Sequence, residues 1–305
     1  MSSAAGANKK PRKMISEGKF AFYLLLPIII LSCALILYPF LYSIYLSFVE
    51  LNLMRPQLGP EFVGLQFFGE VLRNPEFWTS LRTTSYFSLA SVLGTFFIGL
   101  TAALLLNNKF AGRGVARSFL LIPWAIPTII IGMIWKIMLN PNTGVMNAAL
   151  SQLGVIDQYI GWLADPKWAF IMLTLAQIWK SFPFVTLLYL AALQSISKDL
   201  YEAARVDGSG RWSGFRHVTW PLLMPTTLVL LVLQTIGAFQ AFDLIYGLTK
   251  GGPANATQVI GLHIYTQSFQ FTKFGYGAAS SYIITFFILL LVILYMKLLR
   301  EKDLY

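Results

Sequence analysis

Cysteine is almost missing: Cys33 is the single one in 305 residues. No internal disulfide can form, and no cysteine metal site can be assembled. Charge is also scarce, at 12% of the chain against about a quarter in a soluble domain. So few charges cannot cover a soluble protein of this size, so the surrounding solvent is largely lipid. Histidine occurs only at His217 and His263, far apart and without carboxylates at ligand spacing, and H-E-x-x-H is not found. There is no G-x-x-x-x-G-K-[ST], hence no phosphate cradle and no cofactor expected in this chain. The apolar stretches hold no pair of acids, and away from their ends they place charge only at Lys180 and Asp243. That leaves little support for intramembrane catalysis, and only slightly more for ion-coupled transport.

What the chain has is apolar bulk, 56% hydrophobic and 15% aromatic. Six stretches are long enough to cross a bilayer, which takes about 20 residues each: 20–48, 83–106, 115–139, 168–193, 219–246 and 277–299. Runs such as FFILLLVILYMKLL lack the alternation of a barrel strand, so the expected class is an all-α membrane protein with six transmembrane helices. Lys9, Lys10, Arg12, Lys13 and Lys19 precede the first run. Its core, 20–37, is longer than a signal core and has no small-x-small site after it, so it reads as a retained span. Three segments follow: a basic tail at 1–19, a first span with its loop at 20–81, and a core at 82–305.

The net charge of +10 would suggest nucleic acid in a soluble protein. Here the cations sit in tails and short loops, at Lys109, Arg113, Arg117, Lys198, Arg205, Arg211, Arg216, Lys297, Arg300 and Lys302, so no nucleic-acid partner is expected. The other loops are longer and poorer in cations: Arg55, Arg73 and Arg82, then Lys167 with Lys136 near the start of that loop, then Lys250 and Lys273. This bias puts both termini and the loop 194–218 in the cytoplasm. Thr95, Gly99 and Ala103, like Ala90 and Gly94, recur every four residues. That suits close helix packing, and it also suits ordinary membrane composition. Prolines at 27, 39, 123, 127, 183, 221 and 225 imply kinked or broken spans. The outer loop 140–167 has turn signals at both ends and an apolar middle that suits a short surface helix.

Between two apolar runs stands KDLYEAARVDGSGRWSGFRHVTWPLLMP, residues 198–225. Ser197 can cap a helix from Lys198, with Asp199 in its first turn, and Asp207-Gly208 can end it. A second short helix can follow Gly210, with Pro221 and Pro225 setting the angle into the next span. Ala203 and Ala204 keep one side thin enough for a groove on another protein, where Glu202 and Arg205 could make charged contacts. An interfacial helix that merely anchors the loop fits the spacing equally well.

EAARVDGSG, Phe215, Pro221 and Pro225 resemble the EAA loop of bacterial ATP-binding-cassette importer permeases. LTKGGPANATQVIGLHIYTQSFQFTKFGYGAA and LLIPWAIPTIIIGMIWKIM resemble the sugar-importing subgroup, the relatives of maltose and glycerol-3-phosphate permeases. The resemblance covers nearly the whole chain from Phe20. It implies the type I importer permease fold, in a bacterial or archaeal inner membrane. It also implies cytoplasmic EAA coupling helices at 198–218, with Glu202, Ala203, Ala204, Arg205, Asp207 and Gly208 facing a separate ATPase. The partners implied are a second permease, by resemblance a different chain, two ATPase subunits holding ATP and magnesium, and an extracytoplasmic solute-binding protein. The face matching the sugar contacts of a maltose-type permease is Gln234, Gly237, Ala238 and Ala241, of which only Gln234 is polar. Gln240 and Asp243 on the adjacent face, and Gln177, Trp179 and Lys180 in the fourth span, are further candidates. Gln177 also suits a helix–helix hydrogen bond. Glycerol-3-phosphate in the same architecture, or an ion-coupled carrier, are the alternatives.

Overall fold

The computed structural model describes residues 17–51 and 59–299. Lys9, Lys10, Arg12, Lys13, Arg55, Arg300 and Lys302 lie outside the described residues. The first helix, α1, runs over Gly18–Leu46 with no burial along its most apolar window. It touches the rest of the bundle near its far end, where the Ser43 and Tyr282 hydroxyls lie 2.6 Å apart. The Tyr282 hydroxyl also donates to the Phe40 carbonyl at 3.1 Å. A two-residue antiparallel ribbon then pairs β1 (Val49–Glu50) with β2 (Glu61–Phe62). A short helix, α2 (Gln66–Arg73), leads into α3 (Pro75–Asn107). The latter starts well before residue 83 because Asn74 accepts from the Glu76 amide and Pro75 occupies the first turn, where its missing N–H costs nothing.

The third apolar stretch is not one straight helix. Helix α4 (Arg113–Ala125) and helix α5 (Thr128–Met138) meet at 96° across Ile126-Pro127. Ile126 is held extended by the proline after it, which ends the helix there. After α5, the loop 140–167 carries the expected short helix, α6 (Val145–Gln152). Buried Asn147 staples this loop: its amide donates to Ile160 O at 2.9 Å, and its oxygen accepts from Trp162 Nε1 at 2.8 Å. Helix α7 (Pro166–Ser195) begins on an Asp165 cap that accepts from Lys167 N and Trp168 N.

Small residues on α3 are the seat of α7. A Cβ at Gly94 would lie 2.4 Å from Ile178, and one at Gly99 2.6 Å from Val185. Thr95 and Ala103 are buried on the same side, whereas Ala90 is exposed and takes no part.

Helix α8 (Lys198–Val206) is followed by α9, a continuous helix over Arg211–Phe239. The expected separate second helix, with prolines angling the next span, is therefore corrected: Pro221 and Pro225 lie inside one helix. A five-residue π stretch, Phe215–Thr219, ends two residues before Pro221, just as Cys33–Leu37 ends two before Pro39. The wider turn relieves the clash between a proline ring and the carbonyl four residues back. The fifth span also begins and ends earlier than 219–246, starting at Arg211. It stops at Phe239, and α10 (Asp243–Leu248) is a separate helix.

Helices α5 and α10 approach backbone to backbone. A Cβ at Gly132 would lie 2.9 Å from Leu244 O, and one at Gly247 2.9 Å from Ile129 O, so only glycine fits either position. Helix α11 (Ile260–Tyr265) and the last span, α12 (Phe274–Leu299), follow and are the last helices among the described residues. Five of the described helices are long and apolar enough to span a membrane, and the bent pair α4–α5 makes a sixth by length and composition.

Candidate coupling element and transport path

The polar stretch folds as local chemistry dictates. Ser197 Oγ accepts from Asp199 N at 3.2 Å and starts α8. At its end, Gly208 N donates to Arg205 O at 3.0 Å and Ser209 N to Ala204 O at 2.9 Å. This paired closure needs a left-handed residue, and Gly208 supplies it with φ +79°. Across the turn, the Tyr201 and Thr219 hydroxyls lie 3.0 Å apart and tie α8 to α9.

Glu202, Ala203, Arg205, Asp207 and Gly208 are exposed, and Ala204 is half-buried. Ala204 and Arg205 line a cavity of about 1000 Å³ behind the helix, with Leu104, Tyr201, Arg211 and Phe215. The elbow also presents exposed apolar residues that the sequence reading missed: Leu200, Val206 at 88% exposure, and Trp212 at 72%, the last at the rim of that cavity. Trp212 stacks on Phe215 at 5.6 Å between centroids, and Phe215 meets Trp220 at 6.3 Å. Apolar side chains bared on a charged helix are the anomaly that marks a contact surface.

The residues expected along a transport path are scattered. Gln234 is half-buried, and Gly237 is exposed with open space where a Cβ would point. Ala238 is buried in a core cluster with Ile131, Leu173 and Leu244, so it faces protein. Ala241 packs against the same cluster. Gln240 and Asp243 do not share a helix face, because the break at 240–242 puts Asp243 in the first turn of α10. Gln177 donates to Ser181 Oγ at 3.1 Å on its own helix rather than to a neighbouring one. Trp179 meets Trp135 edge to face at 6.2 Å. Lys180 is half-buried and lies within Coulombic reach of Asp243. The structure thus brings Trp179 and Lys180 of α7 towards Ala241 and Asp243, and leaves Gln234 and Gly237 on a different part of α9. Among the described residues, no group of three or more metal-ligating side chains is assembled.

This arrangement has known counterparts. The chain is 40% identical over 286 residues to the trehalose/maltose transport system permease protein MalF of Thermococcus litoralis, covering 94% of this chain and 95% of that one. It is 37% identical to the sulfoquinovosyl glycerol transport system permease protein SmoG of Agrobacterium fabrum, over 95% and 93% of the two chains. A solved bacterial ABC transporter involved in import of the acidic polysaccharide alginate superposes with a TM-score of 0.80 at 26% identity, over 95% of this chain and 98% of that one. A bacterial alginate ABC transporter solved in complex with an alginate pentasaccharide-bound periplasmic protein superposes with a TM-score of 0.79 at 26% identity, over 94% of this chain and 96% of that one. The family profile described as binding-protein-dependent transport system inner membrane component matches residues 95–300. A bundle of five long helical spans and one bent pair, with an exposed polar elbow between the fourth and fifth apolar stretches, is thus found in a chain that belongs to the family of binding-protein-dependent transport system inner membrane components.

Proposed function

We propose that this chain is the membrane subunit of a sugar importer and forms half of a translocation pathway driven by ATP hydrolysed on separate subunits. The observation that carries the reading is α8, a capped and exposed helix joined directly to a span, in a chain with no nucleotide cradle of its own. Relatives named for trehalose, maltose and sulfoquinovosyl glycerol transport support the sugar.

In this reading α8 inserts into a groove on an ATPase. Glu202 makes the charged contact, and Leu200 and Val206 provide apolar area. Ala203 and Ala204 admit the groove wall, Arg205 flanks it, and Asp207-Gly208 fixes the turn. ATP and magnesium belong to two ATPase subunits. A second permease, a different chain, supplies the other half of the pathway, and an extracytoplasmic solute-binding protein delivers the sugar. Both termini lie in the cytoplasm. Trp179, Lys180, Gln240 and Asp243 face the pathway. Lys180 stands opposite an acid, which suits a neutral sugar better than a phosphate ester wanting several converging cations.

The test is uptake by the complete complex in proteoliposomes with Glu202→Lys. Reversing that charge is expected to abolish sugar uptake while the permease still inserts. Undiminished uptake would remove α8 from the mechanism.

A further inference from the structure

Two arginines stand outside the coupling element, at the start of α4. Arg113 and Arg117 are one turn apart on α4, so they share a face. Both converge on one acceptor, the Gln194 side-chain oxygen, with Nη2 donors at 3.0 Å and 2.9 Å. The Gln194 amide orientation follows from these two donors. Both Nε atoms are buried without a hydrogen-bond partner. Two like charges held on one neutral amide form a costly local arrangement.

Gln194 lies in the last turn of α7, directly before Ser197 and α8. The exposed carbonyls of a helix C-terminus favour cations, and α7 has no basic residue in its own last turn. The two arginines of α4 supply that charge from across the gap. Beside them, Ile196 packs into the cluster that holds Ala116, Leu120 and Leu193, so the junction is also joined by apolar contact.

We propose that Arg113, Arg117 and Gln194 form a positioning clasp that carries movement of α8 into the bent pair α4–α5. The proposal rests on the importer reading above. From the clasp, α4 reaches the 96° bend at Ile126-Pro127, and beyond it α5 locks onto α10 through Gly132 and Gly247. Helix α10 begins with Asp243, opposite Lys180. Helices joined by packed contacts therefore run from the end of α7, where α8 begins, through α4, α5 and α10 to Asp243, which lies within Coulombic reach of Lys180. The clasp is the polar link in that series, and the one that a single substitution can open without disturbing the packing. None of the three residues touches substrate; they act through α8 and α4.

The discriminating measurement is sugar transported per ATP hydrolysed, in proteoliposomes holding the whole complex. Gln194→Leu keeps an unreactive side chain of comparable bulk, one bond shorter, and removes the shared acceptor. Its complex is expected to hydrolyse ATP within about two-fold of the unsubstituted one, while sugar moved per ATP falls about ten-fold. Gln194→Glu keeps an acceptor and adds the opposing charge, and is expected to restore the ratio. A purely structural role would instead lower hydrolysis and uptake together, and that outcome overturns the proposal, as does an unchanged ratio in Gln194→Leu. If Gln194→Leu fails to insert, Arg117→Lys, which keeps the charge and loses the planar fork, is read the same way. An unsubstituted complex that shows no ATP-dependent uptake would overturn the importer reading, and the clasp with it.

Discussion

His263 is wholly enclosed by the fold, on α11 in the loop that follows the fifth span. Its Nδ1 has no partner, and its Nε2 lies 3.5 Å from the Tyr276 hydroxyl, which itself accepts from Asn74 Nδ2 at 2.8 Å. Burial pushes the imidazole below its ordinary value, and the Glu76 carboxylate only partly opposes this. The fold therefore favours neutral His263, and the unfolded chain binds its proton more readily. The contribution is whole above the unfolded value of about 6.5 and is lost as pH falls from there towards the lower folded value. The detergent-solubilised protein is expected to unfold at progressively lower temperature as pH drops from about 7 to 5. His263→Gln should flatten that dependence. An equally steep profile in His263→Gln would assign the pH response to other groups. From the sequence, His263 was legible only as a histidine lacking metal partners, because enclosure is a property of the neighbours that tertiary packing brings.

At the scale of elements, α8 shows why parts of the site could be read in advance. A cap and a left-handed stop involve residues a few positions apart, so Ser197 and Asp207-Gly208 carried their structure in plain sequence. Leu200, Val206 and Trp212 did not, since an apolar side chain in an apolar chain is unremarked until the surface is known. Hydropathy located the long helices because lipid exposure needs only composition. It could not find the break at 240–242, where no proline or glycine intervenes and Gln240 N still donates to Ile236 O. Nor could it foresee that Pro221 would be absorbed by the π stretch before it. The same locality makes the cap testable. Ser197→Ala removes the acceptor for Asp199 N and should cost α8 about 1 kcal/mol. If α8 is the docking helix, the fraying weakens assembly, and less ATPase is expected to co-purify with the permease on washing. Unchanged retention of the ATPase would mean that the first turn of α8 contributes nothing to docking.

For the whole molecule, the 96° bend raises a question of parity. If α4–α5 dipped into the membrane and returned, Lys109 and Arg205 would lie on opposite sides. The contacts speak against this. Arg113, at the start of α4, meets Gln194, at the end of α7, so these two points share one end of the bundle. Leu139, just past α5, shares a buried cluster with Trp162 and Met172 near the start of α7, so those points share the other end. One continuous helix, α7, between the two ends requires the bent pair to cross as well. Charge agrees with this reading, since Lys109, Arg113, Arg117, Lys198, Arg205 and Arg211 then gather on one side. The arrangement can be checked in a Cys33→Ala background, which has no other thiol. Asn142→Cys, in the exposed outer loop, is expected to react with a membrane-impermeant maleimide on intact cells, and Arg211→Cys only once the membrane is opened. Labelling of Arg211→Cys from outside would place α8 beyond the reach of any cytoplasmic ATPase, and the coupling mechanism and the clasp would both be excluded by that single result.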